Sequence, residues 1–167
     1  EIGCVELLEN RPTGNYFHSY VNPDGVQMSS GAEKIHGISE FDLLGQPTFG
    51  EIADDLLSFL GKDPIIAHNA IFDISFIDKE LTAVGISNLT NDIIDTLEIA
   101  RDKIPGKKRT LNDLCKRYEV SLQGRQKHGA LVDAKLLASV YHLLITEGQQ
   151  SKIQVENALK VPNFTRK

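Results

Sequence analysis

The sequence predicts an α/β domain, a mixed β-sheet flanked by helices. Two observations carry this: strand-like segments open the chain, and short apolar runs then alternate with helix-length amphipathic ones. A third bounds it: 167 residues, 41% hydrophobic and 25% charged, suit a single domain with a sizeable core.

The elements follow in order. "EIGCVELLEN" begins inside a strand, with Ile2, Val5, Leu7 and Leu8 as its apolar content, and "NYFHSYVNPDG" gives a second strand after the turn-like "NRPTG". Together they read as a β-hairpin. A polar loop, "QMSSGAEKIHGIS", leads to a helix near Pro47–Leu60, with Pro47 at its start and Gly61 just past its end. "PIIAH" is a short buried strand, and the next helix runs from about Ala70 to Val84, stopping at Gly85. "DIIDT" is a further strand, followed by helices in "DTLEIARDK" and "TLNDLCKRYEV" with the basic loop Pro105 to Arg109 between them. The last helix spans about Ala130 to Thr146. The domain is therefore expected over 1–148, with 149–167 a polar tail or linker.

Charge and cysteine content narrow the function classes. A net charge of −5 argues against strong autonomous binding of a polyanion, which needs lysine and arginine to displace counterions. No apolar run approaches the ~20 residues that span a bilayer, and no signal peptide opens the chain, so no membrane partner is expected. Cys4 and Cys115 lack metal-ligand spacing and read as small core residues.

Two aspartates stand out. At ~100° per residue, Lys135, Ser139, His142 and Thr146 share one face of the last helix, and Asp133 falls nearly opposite, among Leu136, Leu137 and Val140. In the helix after "PIIAH", Ser75, Asp78, Lys79 and Thr82 form the polar face, with Asp73 opposite, beside Phe76 and Ile77. Each alone has an ordinary reading: Asp73 as a first-turn carboxylate with Asn69 as N-cap, Asp133 as half of a buried ion pair. Two inward carboxylates together point to a shared cation, and hard oxygen ligands suit Mg²⁺ or Mn²⁺. His128, on the loop before the last helix, is placed to act as a general base near a metal held by Asp133.

"HNAIFDISF" (His68–Phe76) and "HGALVDA" (His128–Ala134) resemble two of the three motifs of the DEDD exonucleases, in the branch whose last motif is H-x4-D. "PGKKRTLNDLCKRYEV", the "KIHGI" loop and "PTFGEIADDLLSFL" are similar to the proofreading 3′–5′ members of that family, and the similarity extends to about Gly148. The resemblance implies the ribonuclease H-like exonuclease fold. It also implies two-metal hydrolysis at a DNA 3′ end, releasing nucleoside monophosphates, with cations ~3.5–4 Å apart. Asp133, together with the two carboxylates of the family's first motif, would bind the nucleophile-side metal and Asp73 the second, directly or through water, while His128 takes the proton from water. His68, Asn69 and Phe72 would meet the terminal nucleotide, with Ile35 and His36 wedging the last base from the other side. Asp95 is either a carboxylate behind the metal ligands or a helix N-cap. Lys107, Lys108 and Arg109 form either a DNA-backbone contact or a solvated loop.

The implied partners are a single-stranded or frayed DNA 3′ end and a polymerase catalytic subunit, in the bacterial cytoplasm. "QSKIQV" (Gln150–Val155) loosely resembles a sliding-clamp peptide. The family's first motif, D-x-E-T on the first strand, is expected upstream of Glu1, so the chain as written is expected to lack that strand and to be inactive. Two other readings stay open: an RNA-directed relative and an exonuclease fold that serves only as a docking module.

Overall fold

The computed structural model describes residues 1–26, 31, 33, 34, 37–106, 108–122 and 129–159, with backbone alone for 148–159. Strand β1 (Ile2–Leu8) pairs antiparallel with β2 (Arg11–Ser19), Ile2 facing Ser19 and Leu8 facing Arg11. The hairpin turn is shorter than "NRPTG" suggested. Glu9 and Asn10 both have positive φ, 51° and 62°, the backbone that matches the right-handed twist of a tight hairpin, so pairing resumes at once at Arg11. Glu6 faces the bulged stretch Thr13 to Asn15, where its carboxylate accepts hydrogen bonds from the Thr13 hydroxyl and the Asn15 amide.

Helix α1 (Glu40–Leu43) follows directly on the expected polar loop, in a stretch to which the sequence reading assigned no element. Ser39 and Asp42 cap it reciprocally, a signal too short to stand out as a helix. Helix α2 (Phe49–Leu60) starts after Thr48, whose N–H and hydroxyl both donate to Glu51. This capping box, rather than Pro47, sets its start. Strand β3 (Ile65–Ala67) leads into α3 (Ala70–Ala83), and β4 (Ile93–Asp95) into α4 (Thr96–Lys103). Helix α5 (Leu111–Arg117) is capped by Thr110 with Asp113, and α6 runs over Ala130–Leu159. Helix α6 thus passes the expected stop near Thr146. Glutamine, glutamate, lysine and alanine are good helix formers, and one glycine, Gly148, costs only ~1 kcal/mol.

The α/β class and the flanking helices match the sequence reading. Among the described residues the strands form two ladders, the antiparallel β1–β2 pair and a parallel β3–β4 pair, rather than one continuous sheet. The core has two parts. Phe49, Ala53, Leu56 and Leu81 pack α2 and α3 against Ile2, Cys4 and Phe17 of the hairpin. Ala100, Ile104, Leu114, Cys115, Val140 and Leu144 hold α4, α5 and α6 together. The Lys103 ammonium ties α4 to α6 by donating to the Leu144 carbonyl (2.8 Å). Cys4 and Cys115 are free thiols. No helix among the described residues is long and apolar enough to cross a membrane.

Candidate active site

The parallel pairing of β3 and β4 opposes Ala67 to Asp95, so both strands end at one level. Helices α3 and α4 begin there, at the carboxyl edge of the strands, where open α/β folds place their ligands. Asn69 adopts the left-handed conformation (φ 68°, ψ 54°), which asparagine tolerates better than most residues, and turns the chain into α3. Its side chain makes no cap hydrogen bond. Asp95 caps that helix instead. The Asn69 and Ala70 N–H groups donate to its Oδ1 (2.9 Å) and Oδ2 (3.1 Å), and the Leu97 N–H of its own helix donates to Oδ1 (2.8 Å). Thr96, fully buried, donates its hydroxyl to the Ala67 carbonyl (3.0 Å) and lies 2.9 Å from His68 Nδ1.

Asp73 stands in the first turn of α3. Surrounding protein strips part of its hydration and raises its pKa, the Asp95 charge adds to this, and a backbone N–H bond works against both. The residue is nonetheless exposed, so water still reaches it. Its charge is felt by Cys4 of β1, whose thiol is pushed up to about 11, mainly by burial. Gly3, the next residue of β1, meets α6: a Cβ there would lie 2.3 Å from the Leu131 nitrogen. Glu1 anchors the same helix start, accepting the Ala130 N–H (3.0 Å) at one oxygen and pairing with His18 Nε2 (2.8 Å) at the other. Asp133, half-buried, follows within the first turn, its N–H bonded to the Gly129 carbonyl (2.9 Å). Consecutive residues of β1 therefore touch the surroundings of the two aspartates, Cys4 that of Asp73 and Gly3 that of Asp133. The described residues contain no cluster of three metal-ligating side chains. What they offer a cation is carboxylate oxygen, and a desolvated carboxylate beside a second acid is a group that bound positive charge would relieve.

A family model described as exonuclease, of the RNase T type, matches residues 1–141. The chain belongs to the exonuclease family. Its curated relatives include DNA polymerase III subunit epsilon of Buchnera aphidicola subsp. Schizaphis graminum, 44% identical over 169 residues, 98% of this chain and 71% of the relative. The subunit of the same name from Rickettsia typhi is 44% identical over 173 residues, 100% of this chain and 74% of the relative. That of Escherichia coli K12 is 42% identical over 155 residues, 90% and 63%. Among solved structures, exonuclease X in complex with 5′ overhanging duplex DNA superposes with a TM-score of 0.67 at 25% identity, covering 86% of this chain and 80% of that one.

Within this exonuclease the sequence-derived site residues are distributed unevenly. Asp73 does not lie on a buried face. Phe72 and Phe76 beside it are 59% and 53% exposed, their rings 4.9 Å apart, while Ala70 and Leu81 are the buried residues of α3. The reason is that the apolar arc of this helix is wider than the surface it packs, running from Phe72 and Phe76 round to Ile77 and Ile74, so periodicity alone does not select the packed part. In α6 the assignment is closer: Val140 and Leu144 are buried, Lys135 and Ser139 are exposed. His68 is half-buried and committed to Thr96 and to the Arg109 backbone, and burial lowers its pKa. The Arg109 guanidinium bonds the Ile104 carbonyl of its own loop through Nε (3.0 Å) and an Nη (2.8 Å), so it braces the loop. Lys108 is exposed. Ile35, His36, Lys107 and His128 lie outside the described residues, as do the side chains of Gln150–Val155. Sequence reading did not anticipate Gly3, Glu1 or His18. The "DT" pair at the β4–α4 junction was the visible signal for the Asp95 and Thr96 bonds.

Proposed function

We propose that this chain carries the catalytic domain of a proofreading 3′–5′ exonuclease, which removes nucleoside monophosphates from DNA 3′ ends as a subunit of a replicative DNA polymerase. The observation that supports it most is the likeness to epsilon subunits over nearly the whole chain, which includes both aspartate motifs. Asp133 and Asp73 would contribute ligands for two Mg²⁺ or Mn²⁺ ions, alongside the carboxylates of the family's first motif. When bound, such ions supply charge neutralisation at the scissile phosphate and an acidified water.

The remaining work falls to the chain's own residues. His128 accepts the proton of the attacking water, a role suited to an imidazole that titrates near neutral pH. Asn69 and Phe72 meet the terminal nucleotide from the start of α3, where Phe72 offers an exposed ring for a base to stack on. Ile35 and His36 wedge the last base from the opposite side, and His68 braces the strand end beneath. The net charge of −5 fits a subunit to which a polymerase already gripping the duplex delivers the frayed end, so the domain itself needs little affinity. Gln150–Val155 is a candidate contact for a sliding clamp; deleting the residues after Gly148 from the full-length protein should weaken clamp binding, and undiminished binding would remove that contact.

The test is the release of mononucleotides from matched 3′-labelled DNA and RNA oligonucleotides by the full-length protein with Mg²⁺ or Mn²⁺. Faster turnover of DNA is expected. Preferential turnover of RNA, or 5′-end release, would overturn the reading.

A further inference from the structure

We infer that Asp95 is a positioning residue for the exonuclease reaction: by capping α3 from the neighbouring strand–helix junction, it sets where Asp73 stands. The inference deepens the proposed function and rests on Asp73 as a cation ligand.

An aspartate that caps its own helix is ordinary, and the Leu97 N–H bond to Oδ1 does that for α4. The two bonds across to Asn69 and Ala70 are a different matter. Every helix leaves its first N–H groups without internal partners, and Asn69, in its left-handed conformation, supplies none from its side chain. Asp95 takes two of them. With three N–H donors on its two oxygens, the carboxylate is committed to backbone.

Packing holds the first turns of α3 on one side only. Ala70 is buried and Ile74 and Ile77 are half-buried, Ile77 against the core, but Ile71, Phe72, Asp73 and Phe76 are exposed, and the next fully buried residue is Leu81, near the far end. Asp73 lies three residues beyond Ala70, so a shift of the helix start carries its carboxylate along. The parallel register that opposes Asp95 to Ala67 brings the cap within reach.

Serine separates the two functions. As a good N-cap it can satisfy Leu97, but its short side chain cannot reach Asn69 and Ala70. In full-length Asp95→Ser we expect kcat on a 3′-labelled DNA strand to fall by about 10- to 100-fold with KM little changed, because a misplaced ligand costs rate rather than substrate binding. The Mn²⁺ concentration for half-maximal rate should rise several-fold. Asp95→Asn, which keeps one acceptor oxygen, should fall between serine and the parent. Rates are normalised to the folded fraction from circular dichroism. Parent-like kcat and Mn²⁺ midpoint, or a loss that follows the folded fraction alone, would overturn the inference. Should the serine variant yield too little folded protein, the asparagine variant decides by the same two readouts. Asp73→Asn, run alongside, keeps the two ideas apart. Parent-like activity there would sink the proposed site itself, whereas an inactive Asp73→Asn with a parent-like Asp95→Ser sinks only the positioning role.

Discussion

Gly3→Ala joins the packing of this exonuclease to its chemistry. The added Cβ would lie 2.3 Å from the Leu131 nitrogen, 2.5 Å from its Cα and 2.6 Å from the Ala130 carbonyl carbon. All three are backbone atoms of the first turn of α6, so no side chain can swing aside. Ordinary contact begins near 3.4 Å, and 3.4 Å less 2.3 Å requires a movement of about 1.1 Å between β1 and α6. Overpacking of this kind costs ~1–3 kcal/mol, and a backbone obstacle belongs at the upper end. At roughly 2–4 °C per kcal/mol for a domain of this size, Tm should fall by about 6–12 °C. Asp133 sits two residues past Leu131 and moves with that turn. An ångström of misplacement can cost ~10²-fold in rate, so hydrolysis per folded molecule should fall by about that factor. Thermal melts and turnover of a 3′-labelled strand, the latter well below the mutant's Tm, measure both. An unchanged Tm would mean that α6 does not seat on Gly3. A lowered Tm with a parent-like rate would instead refute the link between that seat and the position of Asp133.

Asp73→Asn should abolish hydrolysis yet leave the metal-free protein as stable as the parent or more so. Because the folded-state pKa of Asp73 is raised, its ionised form carries a penalty that is full above that pKa and vanishes as pH falls below the ordinary carboxylate value. The mutant's advantage in a metal-free melt should therefore shrink on acidification, and an advantage that grew would contradict the desolvated setting. Asp133→Ala should likewise remove activity without unfolding the protein, as read by circular dichroism. His128→Gln should slow turnover by roughly 10²–10⁴ near neutral pH, and an unchanged pH–rate profile would take it out of the mechanism. Thr110→Ala breaks the capping box with Asp113 and should cost ~0.5–2 kcal/mol in a denaturant melt, with turnover per folded molecule unaffected.

The sequence by itself determined most of what depends on near neighbours in the chain. The ends of α3 and α4 were legible in Gly85 and Asp95, whose conformational freedom and capping oxygen act within a few residues. The strands Ile65–Ala67 and Ile93–Asp95 were legible as apolar runs between breakers. So were the two aspartate motifs, since a spacing such as H-x4-D is a property of the chain alone. Tertiary structure decided the rest. Phe72, Ile74, Phe76 and Ile77 spread apolar surface well beyond one face of α3, and only its seat against α2 and the hairpin leaves Asp73 and Phe72 facing outward. Gly3 looks like any strand glycine until α6 lies against it. Asp95 bonds Ala70, 25 residues earlier, and Asn69, 26 earlier, because β3 and β4 run parallel in one register. Caps and periodicities act over one or two turns of chain, whereas burial and contacts between elements belong to whichever surfaces meet when the chain collapses.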